Sequence, residues 1–111
     1  MSAFGSAVAD PARASLEADW LRLTREELPA LAVSRRWPVR ADHCFQRILL
    51  DHAVGGCWYD AIPARPAYRH LDDVRLAAAV ALGRAVVEGD VDLSTLNRQS
   101  LAWRGKNSTR R

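Results

Sequence analysis

The sequence predicts an all-α protein: a single-domain irregular or orthogonal bundle of about five helices. Three observations carry this. Ala and Leu are abundant and recur at helical spacing, strand-type alternation is hard to find, and Asp, Pro and Gly stand where helices should begin and end. At 111 residues the chain suits one domain. That length can bury a core without covalent staples, at modest stability.

Asp10 caps a first helix over residues 11–23, with Pro11 in the first helical position and Leu16, Trp20 and Leu23 on the apolar stripe. Thr24-Arg25-Glu26-Glu27 reads as a capping box opening a second helix over about residues 25–36, with Leu28, Leu31 and Ala32 inward. Pro29 should kink that helix or delay its start. Trp37-Pro38-Val39 is an extended linker, because the residue before Pro avoids the helical region.

Asp42 is the expected cap of a third helix over residues 43–54, with Phe45, Ile48, Leu49 and Ala53 buried and Gly55-Gly56 as its stop. Residues 57–62 form a short turn ended by Pro63, and a loop follows to Arg69. Asp72-Asp73 opens the longest helix, to about Glu88. Its apolar residues cover most of its circumference, which predicts a central, buried helix. Gly83 inside it costs helix propensity and fits a close approach of another element. Asp90 or Asp92 caps the last helix, about 92–104, anchored by Leu93, Leu96, Leu101 and Trp103. The division is a flexible N-terminus at 1–9, a helical domain at 10–105 and a basic flexible tail at 106–111.

No apolar run reaches the roughly 18 residues of a membrane span. The first residues lack a secretory pattern, so the expectation is a cytoplasmic protein without membrane contact. The net charge of +3 is unevenly placed: residues 98–111 carry +5 and residues 1–97 carry −2. The basic excess is therefore a tail. With Arg35, Arg36 and Arg40 it allows at most weak nucleic-acid binding. Cys44 and Cys57 form no CxxC pair. His43, Cys44, His52 and Cys57 fall within fifteen residues but match no zinc spacing, so no metal is expected.

Two polar stripes stand out. His43, Arg47 and Asp51 recur every four residues on the third helix; Asn97, Ser100 and Arg104 line one side of the last. Facing each other, they form a polar seam in an apolar bundle. Two readings follow: a structural network in which Arg47 and Asp51 tie their helix to a neighbour, or a ligand site. In the second, Arg47 and Arg104 bind an anion, Asp51 orients Arg47, and His43, Asn97 and Ser100 add hydrogen bonds. Trp58, beside Tyr59 and before a Pro-rich loop, is the one tryptophan of four placed to stack on a ligand.

Arg36-Trp37-Pro38-Val39, Asp42-His43-Cys44-Phe45-Gln46-Arg47-Ile48 with Asp51, Trp58, and Leu96 to Leu101 with Arg104-Gly105-Lys106 resemble a small group of uncharacterised bacterial and fungal proteins. The resemblance spans about residues 36–106. Some of that group carry a GCN5-related N-acetyltransferase label, which implies acetyl-CoA as cofactor. The residues themselves offer His43 as acid–base with Asp51 as its orienter. That fold is mixed α/β and cradles the cofactor pyrophosphate on a Gly-rich strand-to-helix turn, which this chain lacks. The leading expectation is therefore a non-catalytic helical module recognising an anionic small molecule or partner. An acetyltransferase-type enzyme, a weak nucleic-acid binder and an oligomeric partner using exposed Trp are the alternatives.

Overall fold

A computed structural model describes residues 10–105. The expected flexible N-terminus and basic tail lie outside the described residues. The order is α1 (Pro11–Arg22), a π-helical turn (Leu23–Glu27), α2 (Leu28–Ala32), α3 (Asp42–Val54), the short α4 (Trp58–Ala61), a 3-10 turn (Ala67–His70), α5 (Asp73–Glu88) and α6 (Leu93–Trp103). No strand occurs among the described residues, so the all-α expectation holds. Among the described residues, no helix is long and apolar enough to cross a membrane.

Asp10 accepts a hydrogen bond from Ala12 N and caps α1 as the sequence predicts. The next expectation needs correction. Thr24 does not start a helix. Its hydroxyl donates back to Trp20 O at 2.9 Å, inside one rod that runs from Pro11 to Ala32. The π turn explains how the rod tolerates Pro29. A proline ring clashes with the carbonyl four residues back and supplies no N–H. Here the helix widens just before it, with Leu28 N donating to Leu23 O five residues back. Glu27 closes no capping box; it pairs with Arg84 on α5.

The rod ends in paired bonds, Arg36 N to Val33 O at 3.1 Å and Trp37 N to Ala32 O at 3.0 Å. This is a Schellman closure with Arg36, not glycine, in the left-handed position at φ 55°. Gly55 and Gly89 close α3 and α5 in the same conformation.

Ala41, not Asp42, is the N-cap of α3, and Asp42 is its first residue, accepting from His43 N at 2.7 Å. Asp72 and Asp92 cap α5 and α6 through Arg75 N and Thr95 N.

Packing centres on α3 and α5 together: α5 contacts α1 and α3, and α3 also carries α6. One core cluster joins Trp20, Leu23, Leu28, Phe45, Ile48, Leu49, Leu76, Val86 and Leu93. α5 is central but not buried all round. Leu76, Ala79, Val80, Gly83 and Val86 face inward, whereas Val74 is 78% exposed and Ala77, Ala78 and Ala81 are exposed too. Alanine counts as apolar in a sequence pattern but withdraws too little surface to force burial. Gly83 sits where a Cβ would strike Leu23 and come within 3.1 Å of Leu49 Cδ1, so its absent side chain admits the π turn and α3 together. Trp103, expected as an anchor, is 37% exposed and meets His52 edge-on at 4.9 Å.

Candidate functional site

The two polar stripes do face each other. Asp51 is fully buried at the end of α3 and accepts four hydrogen bonds. Ser100 Oγ (2.6 Å) and Arg104 Nε (2.7 Å) donate to its Oδ2; Arg104 Nη2 and Trp58 N (both 2.9 Å) donate to its Oδ1. Both carboxylate oxygens are thus doubly engaged, which is what makes a buried charge tolerable. Asp51 in turn holds the Arg104 guanidinium above its ordinary pKa, against the opposing effect of burial. Arg104 also lies 4.9 Å from the Tyr59 ring centre.

One turn earlier on α3, Arg47 donates from Nη1 to Ser100 Oγ at 2.7 Å and from Nη2 to Asn97 Oδ1 at 2.8 Å. Ser100 is therefore a relay, accepting from Arg47 while donating to Asp51. His52 adds a third link, Nε2 to Leu96 O at 3.0 Å. A carbonyl only accepts, so that nitrogen carries the proton.

These contacts revise two expected roles. Asp51 does not orient Arg47 directly; it binds Arg104 and reaches Arg47 only through Ser100. Arg104 is committed to Asp51 and is not an open anion clamp. The His43–Asp51 dyad of the enzyme reading does not form either. His43 is 81% exposed beside Asp42, about 12 Å along the axis from Asp51 at 1.5 Å per residue.

The seam opens at its Arg47 end into a cleft of about 250 Å³. From the expected set it collects His43, Arg47 and Trp58; Asp51, Asn97, Ser100 and Arg104 stay behind as its buried support. The structure adds residues that the sequence did not mark: Arg25 from the π turn, Trp20 from α1, Gln46 and Leu50 from α3, and Arg65 to Tyr68 from the loop.

Burial orders these groups by depth. Trp20, Leu50 and Ala67 are buried, Gln46, Arg47, Trp58 and Tyr68 are half-buried, and Arg25, His43 and Arg65 stand outermost. Among the described residues, no carboxylate lines the cleft. Arg25, Arg47 and Arg65 make no salt bridge among the described residues. Arg65 lies 5.2 Å from the Trp58 ring centre. Positive charge therefore collects at the mouth over an apolar floor.

The loop wall is held from outside. Arg13 bonds Glu17 (2.8 Å) and Asp73 (2.7 Å) and donates to Tyr68 O at 2.8 Å, fastening α1 to the loop and to the start of α5. A hint of the cleft was present in the sequence, since Arg65 lies between Pro63 and Pro66, where the chain is constrained but not helical. Nothing local marked Arg25 or Trp20.

Of the remaining candidates, Cys57 is buried just before α4, Cys44 is half-buried on α3, and both are free thiols. In the Arg35-Arg36-Arg40 cluster, Arg35 is occupied, donating to Val86 O and Val87 O at 2.9 Å each. No protein-family model, curated protein or solved structure matches this chain.

Proposed function

We propose that this protein is a non-catalytic helical binding module that takes an anionic group in the cleft between α3, the π turn and the Arg65–Tyr68 loop. The observation carrying this reading is the set of three guanidinium groups, Arg25, Arg47 and Arg65, which among the described residues have no carboxylate partner and surround one concave surface that includes His43 and no acid. Unpaired arginines ordinarily spread over a solvated face. Three converging on a cleft create a positive potential that an anion relieves. Arg47 is the best placed of them. Its two terminal nitrogens are fixed by Ser100 and Asn97, both neutral, so its orientation is set while its charge is not cancelled by direct contact.

On this reading the polar seam acts as a support that sets Arg47 at the cleft wall. The saturated hydrogen bonding of Asp51 argues for that role, because no acceptor there is left for a ligand.

Calorimetric titration with inorganic phosphate at low salt tests the proposal. Binding should weaken by about fivefold in each of Arg25→Ser and Arg65→Ser, since each removes a charge-assisted contact. Both side chains stand at the cleft mouth rather than in the core, so the fold should persist. Arg98→Ser, exposed on α6 and outside the cleft, should leave binding unchanged. Equal affinity in all three variants would reject the cleft as the anion site.

A further inference from the structure

The loop that carries Arg65 is held to the rest of the fold at few points. Ile62, Ala67 and Leu71 are buried, whereas Pro63, Arg65 and Pro66 are exposed. Neither proline has an N–H to donate. Among the described residues, one hydrogen bond from another element reaches residues 63–70: Arg13 Nη2 donates to Tyr68 O at 2.8 Å. The other restraints are the apolar anchors, whose burial has no direction, and the contact of Arg65 with the Trp58 ring, a weak tether for an exposed guanidinium.

Arg13 is itself fixed. Its Nε donates to Glu17 Oε2 one turn along α1, and its Nη1 donates to Asp73 Oδ1 at the start of α5. All three bonds thus leave one planar group in set directions. The side chain is 18% exposed and lies outside the cleft lining. α1 opens the rod that brings Trp20 and Arg25 to the cleft, and the loop brings Arg65 to Tyr68. Arg13 therefore joins two walls of the cleft without entering it.

Resting on the anion-binding reading, we propose that Arg13 is a positioning residue of the anion site: by fastening Tyr68 O to α1, it sets where the loop presents Arg65 relative to Arg25, and so governs affinity without touching the anion. Tyr68 lies three residues from Arg65, and the ring of Pro66 stiffens the chain between them. A displacement at Tyr68 O is therefore passed on to Arg65. Arg25 belongs to the rod, and Arg47 is fixed separately by Ser100 and Asn97. Loss of the Arg13 bond acts on one of the three cations.

Calorimetric titration of the full chain with inorganic phosphate tests this, using Arg13→Met alone and combined with Arg65→Ser or Arg25→Ser. Arg13→Met should weaken binding by about two- to fivefold, no more than the loss expected from removing Arg65 itself. In the Arg65→Ser background it should cost nothing further. In the Arg25→Ser background it should cost the same factor again, since Arg25 is not reached through the loop. Amide hydrogen exchange reads the loop directly. The Arg69 N–H, which donates to Pro66 O inside the loop, should exchange faster in Arg13→Met and slower in the unaltered protein saturated with phosphate.

An equal loss in both backgrounds would assign the effect to long-range charge or general loosening and overturns the inference. So does Arg69 exchange that ignores phosphate in the unaltered protein, a reading that stands even if Arg13→Met fails to fold. Phosphate binding that depends on Arg25 and Arg65 but not on Arg13 overturns this inference alone and leaves the anion site in place. Phosphate binding indifferent to all three arginines removes both.

Discussion

Arg104 and Asp51 meet as a fork on a carboxylate, Nε 2.7 Å from Oδ2 and Nη2 2.9 Å from Oδ1, with Asp51 wholly shielded from solvent. The pair ties the end of α6 to the end of α3. Removing one partner leaves the other charged and buried, so Asp51→Asn should destabilise the protein by about 3–5 kcal/mol. Arg104→Lys keeps the charge but loses the planar fork and should cost less, about 1–3 kcal/mol. Urea unfolding of the variants checks the order. Since Asp51 raises the pKa of Arg104, the arginine's share of stability is fully present below the ordinary guanidinium range and is lost only in more alkaline solution.

Ser100 links the two arginines through a single hydroxyl. Ser100→Ala should cost about 1–3 kcal/mol, because it leaves Arg47 Nη1 and one Asp51 lone pair without their partner. Its effect should not add to that of Arg47→Met. A double-mutant cycle should return a coupling of about 0.5–3 kcal/mol, whereas strict additivity would show that the relay is not energetically connected.

Gly83 tests packing against propensity. Alanine there would gain about 1 kcal/mol of helix propensity. The new methyl would press on the Leu23 and Leu49 side chains, both fully buried in the core. Overpacking of this kind costs about 1–3 kcal/mol. Gly83→Ala should therefore lower the urea midpoint; a raised midpoint would mean that Leu23 can yield and that the π turn and α5 are less tightly packed.

Arg36 predicts the reverse. It holds a left-handed conformation that disfavours L side chains by about 1–2 kcal/mol. The same position is glycine at the ends of α3 and α5. Arg36→Gly should raise stability by up to about 1 kcal/mol, read as a higher thermal midpoint.

The two polar stripes were legible in the sequence because helical spacing places residues four apart on one face whatever surrounds them. Which arginine Asp51 would bind was not. Arg47 is the sequence neighbour, yet Arg104, fifty-three positions away, takes the carboxylate. That choice depends on the register between α3 and α6. The break assumed at Thr24 failed for a related reason: a capping box and a helix interior use the same residue types, and burial of Thr24 decided between them. The cleft was scarcely legible, since Trp20, Arg25, Arg47 and Arg65 belong to separate segments.

The all-α class, most helix limits and the inward stripes follow from the order of residues, because caps, glycine stops and apolar periodicity act over a few positions. Three outcomes needed the assembled fold: the rod passes unbroken through a π turn, α5 keeps an exposed alanine face, and the seam closes on itself and leaves its open end as a cationic cleft. Each depends on which surfaces meet at a distance, and local hydrogen-bonding rules do not encode that meeting.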